Sequence, residues 1–141
     1  RREEEPESVF LLEWPEPEGR WEDASLEEEW GWLLELREKV TKRLEEMRAS
    51  KQIGTSLEAE VVLLADDQGL SRLGEKRQLV ESLFIVSSVK LERREGLEQV
   101  EVEVRKAPGS KCARCWNVRE TVGKDPEHPL ICGRCVAALQ G

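Results

Sequence analysis

Residues 111–141 read KCARCWNVRETVGKDPEHPLICGRCVAALQG, and they hold all 4 cysteines of the 141-residue chain. The thiols form two Cys-x-x-Cys pairs, Cys112/Cys115 and Cys132/Cys135, separated by 16 residues. A two-residue spacer lets one tight turn aim both sulfurs at a common point. A second such turn completes a tetrahedron with arms of about 2.3 Å around a metal ion. Gly133, in the second spacer, is expected to ease that turn, because glycine adopts backbone shapes that other residues resist. Four thiolates leave no open position for water or substrate, so the spacing predicts one structural zinc ion per chain.

Disulfides would require an oxidising compartment, and thioredoxin-like chemistry would require a single pair at a helix start beside a βαβ pattern. An iron–sulfur cluster is the remaining thiolate alternative. Zinc is preferred to all three. His128, flanked closely by Pro126 and Pro129, reads as an exposed loop residue, since the cysteines already fill the tetrahedron. So short a segment buries too little surface to fold unaided, and the metal supplies the missing free energy.

Upstream, the expected fold class is α+β: a long N-terminal helix, a small β-α-β-β unit and the four-cysteine zinc knuckle or ribbon. Residues 1–24 form an acidic connecting arm, in which Pro6, Pro15 and Pro17 block regular helix. Only Ser8–Leu12 has the pattern of a short strand, and Trp14 and Trp21 are expected to anchor the arm. Residues 25–52 carry the long helix, with Ser25 as cap and Glu28 completing a capping box. Its apolar stripe is Trp30, Leu33, Val40, Leu44 and Met47, with Leu34 beside it. A stripe that long calls for neighbouring helices, which implies either self-association or excision from a larger helical bundle.

Residues 53–107 form the junction unit. Leu57, Ala59, Val61 and Leu63 alternate with their neighbours as a strand, Gly69–Leu83 is helical, and Phe84–Leu91 and Leu97–Val104 are further strands. Glu95-Gly96 is expected to turn a hairpin between the last two. Pro108-Gly109-Ser110 then opens the zinc-binding segment, 108–141.

The net charge of −8 is unevenly distributed. Residues 1–104 hold 15 Lys/Arg against 27 Asp/Glu, whereas residues 105–141 hold 7 against 3. A polyanion would therefore meet the tail first, because charge acts over about 8–10 Å in physiological salt. No apolar run approaches the ~20 residues of a membrane span, and RREEEPES lacks the apolar core of a secretory signal. The chain is accordingly expected in the cytoplasm, with no membrane partner. No nucleophile–base set or carboxylate pair stands out from the solvated charge. Gly69 and Gly74 have phosphate-loop spacing but are followed by Glu-Lys, which does not complete that motif.

The segment KCARCW…VGKDPEHPLICGRCVAAL closely resembles the C-terminal zinc-binding segment of bacterial-type isoleucyl-tRNA synthetases. ESVFLLEWPEP and WGWLLELREKVTKRLEEMRASKQIGTSLEAEVVL are similar to the end of that family's anticodon-binding helical region. The resemblance implies a piece of a monomeric, ATP-dependent ligase that attaches isoleucine to its tRNA. The partners it implies are the isoleucine-specific tRNA, held around its anticodon, and the remainder of the synthetase. The family's His-x-Gly-His and Lys-Met-Ser-Lys-Ser catalytic signatures are absent, so the chain itself is expected to be non-catalytic.

The residues with RNA-binding chemistry are Arg114, Arg119, Lys124 and Arg134 for phosphates and Trp116 for an unpaired base. For Trp116 the other reading is a cap over the metal site, and for Arg114 and Arg134 it is charge balance at the thiolates. The competing functions are a zinc-ribbon adaptor for another protein and an architectural clasp without RNA contact.

Overall fold

The computed structural model describes residues 7–140, in two compact units, Arg1–Gly31 and Trp32–Gly141. In the first, Ser8 caps a 3-10 turn, Val9–Leu11, its hydroxyl accepting the Phe10 N–H at 3.3 Å. This replaces the strand expected over Ser8–Leu12: a serine that satisfies the backbone locally competes with sheet pairing. A second 3-10 turn spans Gly19–Trp21. Trp14, expected to be an anchor, is 94% exposed, and Trp21 is also exposed. Pro6 lies outside the described residues.

Helix α1 spans Ala24–Ala49. Its cap is Asp23, not Ser25: one carboxylate oxygen of Asp23 accepts the N–H groups of Ser25 and Leu26, both at 3.0 Å, and the Ser25 hydroxyl at 2.8 Å. A carboxylate is the stronger acceptor and complements the positive end of the helix dipole. These bonds, Leu26's foremost, hold the Asp23 pKa below its ordinary value. At the other end Lys51 takes a left-handed conformation (φ 58°), with Lys51 N–H bonded to Arg48 O and Gln52 N–H to Met47 O. That is a Schellman closure with lysine in the usual glycine position.

In the second unit the buried stripe of α1 is Leu33, Leu36, Val40, Leu44 and Met47; Leu36 takes the place expected for Leu34, which is exposed. The stripe joins one core cluster with Val61, Leu63, Leu73, Val80, Phe84 and Val89. The α/β unit thus provides an apolar neighbour for the stripe from Leu33 to Met47.

The sheet contains β1 (Ala59–Ala65), β2 (Ser88–Arg93) and β3 (Glu101–Lys106) in the order β2-β1-β3. β1 is central, parallel to β2 (Val61 opposite Val89) and antiparallel to β3 (Val61 opposite Val104). The expected hairpin between the last two strands is therefore not formed: they lie on opposite sides of β1. Every residue of β1 is buried, whereas β3 alternates half-buried Val102 and Val104 with exposed charges. A strand apolar on both faces belongs in the middle, and the two one-faced strands take the edges.

The crossover from β1 to β2 is two helices, α2 (Asp67–Gly74) and α3 (Arg77–Phe84), where one was expected. Asp66 caps α2 through the Gly69 N–H at 2.8 Å. Phe84 ends α3, so the second strand begins later than its sequence pattern implied. Ile85 then closes α3 in the left-handed region (φ 56°).

Glu60, on β1, is 2% exposed and fully engaged. It accepts Arg105 Nε at 2.7 Å and Ser88 Oγ at 2.9 Å, and Lys90 Nζ lies 3.3 Å away. Among the described residues no helix is long and apolar enough to cross a membrane.

Candidate metal centre and the surface around it

The zinc-binding segment begins with a short antiparallel ladder, β4 (Ser110–Lys111) against β5 (Val118–Arg119). The ladder is entered through Gly109, whose φ of +103° and closeness to β5 both require glycine. A Cβ there would lie 2.4 Å from the Arg119 carbonyl carbon. Between the strands runs the first Cys-x-x-Cys turn. Cys112 N–H bonds to Asn117 O and Trp116 N–H to Cys112 O, both at 2.9 Å. Trp116 sits in the left-handed region, φ 65°.

Backbone strain was expected to be relieved by Gly133 in the second turn. Instead it falls on Trp116 just after the first, while Gly133 simply starts α4 (Gly133–Gln140) with no positive φ. The second pair uses that helix: Cys132 precedes it and accepts N–H bonds from Cys135 at 2.8 Å and Val136 at 3.0 Å. Nothing in the thiol spacing announced α4, although the run Val136-Ala-Ala-Leu139 is helix-favouring.

These two turns bring all four sulfurs within 4.8 Å of one another. Cys112 and Cys135 Sγ are 3.8 Å apart, as are Cys115 and Cys132 Sγ. A regular tetrahedron with metal–sulfur arms of about 2.3 Å has edges of about 3.8 Å, so the donor set fits zinc, and the thiols are free of disulfides. Cys112, Cys132 and Cys135 are buried and Cys115 is half-buried, with Val122 and Ile131 packed against them.

N–H groups around the site point at the sulfurs. Cys132 N–H reaches Cys112 Sγ at 3.3 Å, and the Asn117 amide reaches Cys115 Sγ at 3.5 Å. Burial disfavours the Cys112 thiolate, but backbone N–H groups of Cys115, Cys132 and Arg114 outweigh it and bring its pKa down to about 6. Burial, followed by the neighbouring thiols, pushes Cys135 up to about 11, with Arg114 acting in the opposite sense. Such a cluster is ready to exchange protons for a divalent cation. His128 is half-buried, not exposed as expected, and it is not part of the cluster; its N–H is held by Asp125 Oδ1 at 2.9 Å.

The segment is joined to the α/β unit by two contacts that sequence reasoning missed. Buried Ser87 accepts the Val118 N–H at 2.6 Å and donates to the Leu57 carbonyl. Glu81, on α3, lies 3.3 Å from Arg119 Nη2 and also accepts the Val89 N–H. A serine and a glutamate in a charged sequence carry no periodic signal, so only the topology reveals these roles.

Arg119 is therefore engaged inside the protein, whereas Arg114, Lys124 and Arg134 are exposed. Trp116 is 63% exposed, with Lys111 Nζ 5.7 Å from its ring centroid. A cleft of about 380 Å³ elsewhere is lined by Trp32, Lys39, Asp66, Arg72 and Gln99. Its cations are already occupied: Arg72 stacks 3.9 Å from the Trp32 centroid and Lys39 bonds Gln99.

The fold and the sulfur cluster define a small α+β unit carrying a structural zinc finger. Residues 109–138 match the family described as a zinc finger found in FPG and IleRS. Almost the whole chain is similar to isoleucine–tRNA ligases. It is 44% identical to that of Desulforudis audaxviator (96% of this chain, 16% of the relative) and 40% identical to that of Geobacter sulfurreducens (94% and 15%). It is 41% identical to that of Syntrophomonas wolfei (100% and 16%). The chain is thus a homologue of isoleucine–tRNA ligases, consistent with their C-terminal portion, and spans about a sixth of the length of these relatives.

Proposed function

We propose that this chain is the structural zinc and RNA-contact module of an isoleucine–tRNA ligase, supporting ATP-dependent attachment of isoleucine to its tRNA without itself holding the catalytic site. Its partners in this reading are the tRNA, approached around the anticodon, and the remainder of the ligase. The observation that carries it is the exposed ring of Trp116 on a metal-held turn, in a segment with a basic excess. An unpaired base stacked on an aromatic ring contributes about 1–3 kcal/mol, and Arg114, Lys124 and Arg134 can meet the phosphates beside it. Arg119 acts from behind, through Glu81, to orient the turn. The acidic body opposes RNA, so the 141-residue chain alone binds weakly.

The architectural reading also has support, from the Ser87–Val118 and Glu81–Arg119 contacts, and the two roles are compatible. Charging of tRNA by the ligase carrying Trp116→Ala, measured with its zinc content, tests the proposal. Reduced charging with full zinc occupancy is expected. Unchanged charging with full occupancy leaves only the architectural role.

A further inference from the structure

We infer that Lys111 is a further nucleic-acid contact, forming with Trp116 a two-part grip on one unpaired nucleotide in which the ring takes the base and the ammonium takes its phosphate. This rests on the reading of Trp116 given above. The two residues straddle Cys112: Lys111 is the last residue of β4, in register with Val118, and Trp116 N–H is bonded to Cys112 O. Their spacing is thus set by the ladder and the metal-held turn, not by flexible loop. The ammonium lies 5.7 Å from the ring centroid, a cation–π arrangement that orients the lysine beside a ring that is 63% exposed. Lys111 is exposed and has no ion pair among the described residues, unlike Arg119, which Glu81 neutralises. An unneutralised lysine beside a stacking platform has the chemistry of a phosphate contact: a point charge that recognises the backbone without reading the base.

The two halves of the grip separate by their salt dependence. Each phosphate contact to single-stranded nucleic acid contributes about 0.7 to the slope of log K against log salt, whereas stacking contributes little. The experiment uses the zinc-loaded 141-residue chain and a fluorescent RNA stem-loop with an unpaired anticodon-type loop, titrated from low salt upward. Lys111→Ala is expected to lower the slope by about 0.7 and Lys111→Arg to restore it, with zinc content unchanged in both. Trp116→Ala is expected to weaken binding about tenfold or more with the slope retained. Weakening by Trp116→Ala but an unchanged slope for Lys111→Ala overturns the grip and leaves the stacking role standing. No effect of Trp116→Ala on binding at low salt overturns the RNA reading and the grip with it.

Discussion

The buried hydroxyl of Ser87 accepts the backbone N–H of Val118 at 2.6 Å, tying the loop before β2 to the strand that closes the first zinc turn. It also donates to Leu57 O, so one side chain serves two backbone groups from separate elements. Ser87→Ala leaves both without that partner, and each unsatisfied buried group costs about 1–3 kcal/mol. The expected loss is about 2 kcal/mol in urea unfolding of the zinc-loaded protein, with faster amide exchange at Val118. Full stability in the variant would remove Ser87 as a link between the segment and the α/β unit.

Gly109 is a backbone requirement of a different kind. A methyl group there would lie 2.4–2.5 Å from Arg119 C and O and Glu120 N, and φ of +103° is itself unfavourable for any L side chain. The obstruction is backbone held by β4–β5 pairing, so it cannot swing aside. Gly109→Ala is expected to cost more than about 2 kcal/mol and to weaken zinc retention, measured by competition with a chromogenic chelator. Gly96 provides the control: its φ is +78°, but nothing lies within 4 Å of an added Cβ. Gly96→Ala should therefore show only the smaller backbone strain, about 1 kcal/mol.

Much of this architecture was legible in the sequence because it repeats. The α1 stripe and the paired Cys-x-x-Cys spacing are periodic, and both led to the right element. What failed was the order of pairing. The alternation of Leu57, Ala59, Val61 and Leu63 with their neighbours marks a strand, but it is the unbroken apolar run Val61–Ala65 that marks a central one. Placing it in the middle rules out a β2–β3 hairpin at Glu95-Gly96. The long crossover helix failed at Glu75-Lys76, between α2 and α3, where the apolar positions on either side suggested continuity. The inward roles of Ser87, Glu81 and Arg119 are tertiary facts without local pattern, and Arg119 read as a free cation for that reason.

Glu60 gives the α/β unit an acid sensitivity. Burial works against its charge, but the hydrogen bonds from Arg105, Ser88 and Lys90 outweigh burial and hold its pKa below the ordinary 4.5. A carboxyl group depressed on folding stabilises the protein above its unfolded pKa, and that contribution is lost as pH falls through the folded value. Stability is therefore expected to be level from neutral pH down to about 5 as far as Glu60 is concerned, and to fall below about 4.5. Glu60→Gln should flatten that fall while costing about 1–3 kcal/mol at neutral pH, because Arg105 and Lys90, both partly solvated, can rehydrate. Comparing urea midpoints of the two proteins between neutral pH and pH 4 measures both effects, and parallel curves would show that the acid response originates elsewhere.

Zinc removal is the most searching of these tests, because the cysteines have few substitutes as a core. The cluster buries three thiols with Val122 and Ile131 around them, and structural zinc sites in small fingers contribute about 10–16 kcal/mol of apparent binding energy at neutral pH. Chelation is expected to melt residues 108–140 while β1–β3 and α1 persist, since their apolar cluster contains none of the cysteines. Amide exchange would show this as protection lost at Cys112, Trp116 and Cys135 but kept at Val61 and Leu63. Rebinding has a predictable proton stoichiometry. In the melted segment the thiols return to the ordinary cysteine pKa of about 8.5, so near pH 8 most are protonated and zinc must displace those protons to the buffer. Apparent zinc affinity should therefore climb with pH through neutrality, and calorimetry in buffers of different ionisation enthalpy should register net proton release. Affinity independent of pH between about 6 and 9 would mean that binding displaces no thiol protons, which would exclude ligation by four thiolates.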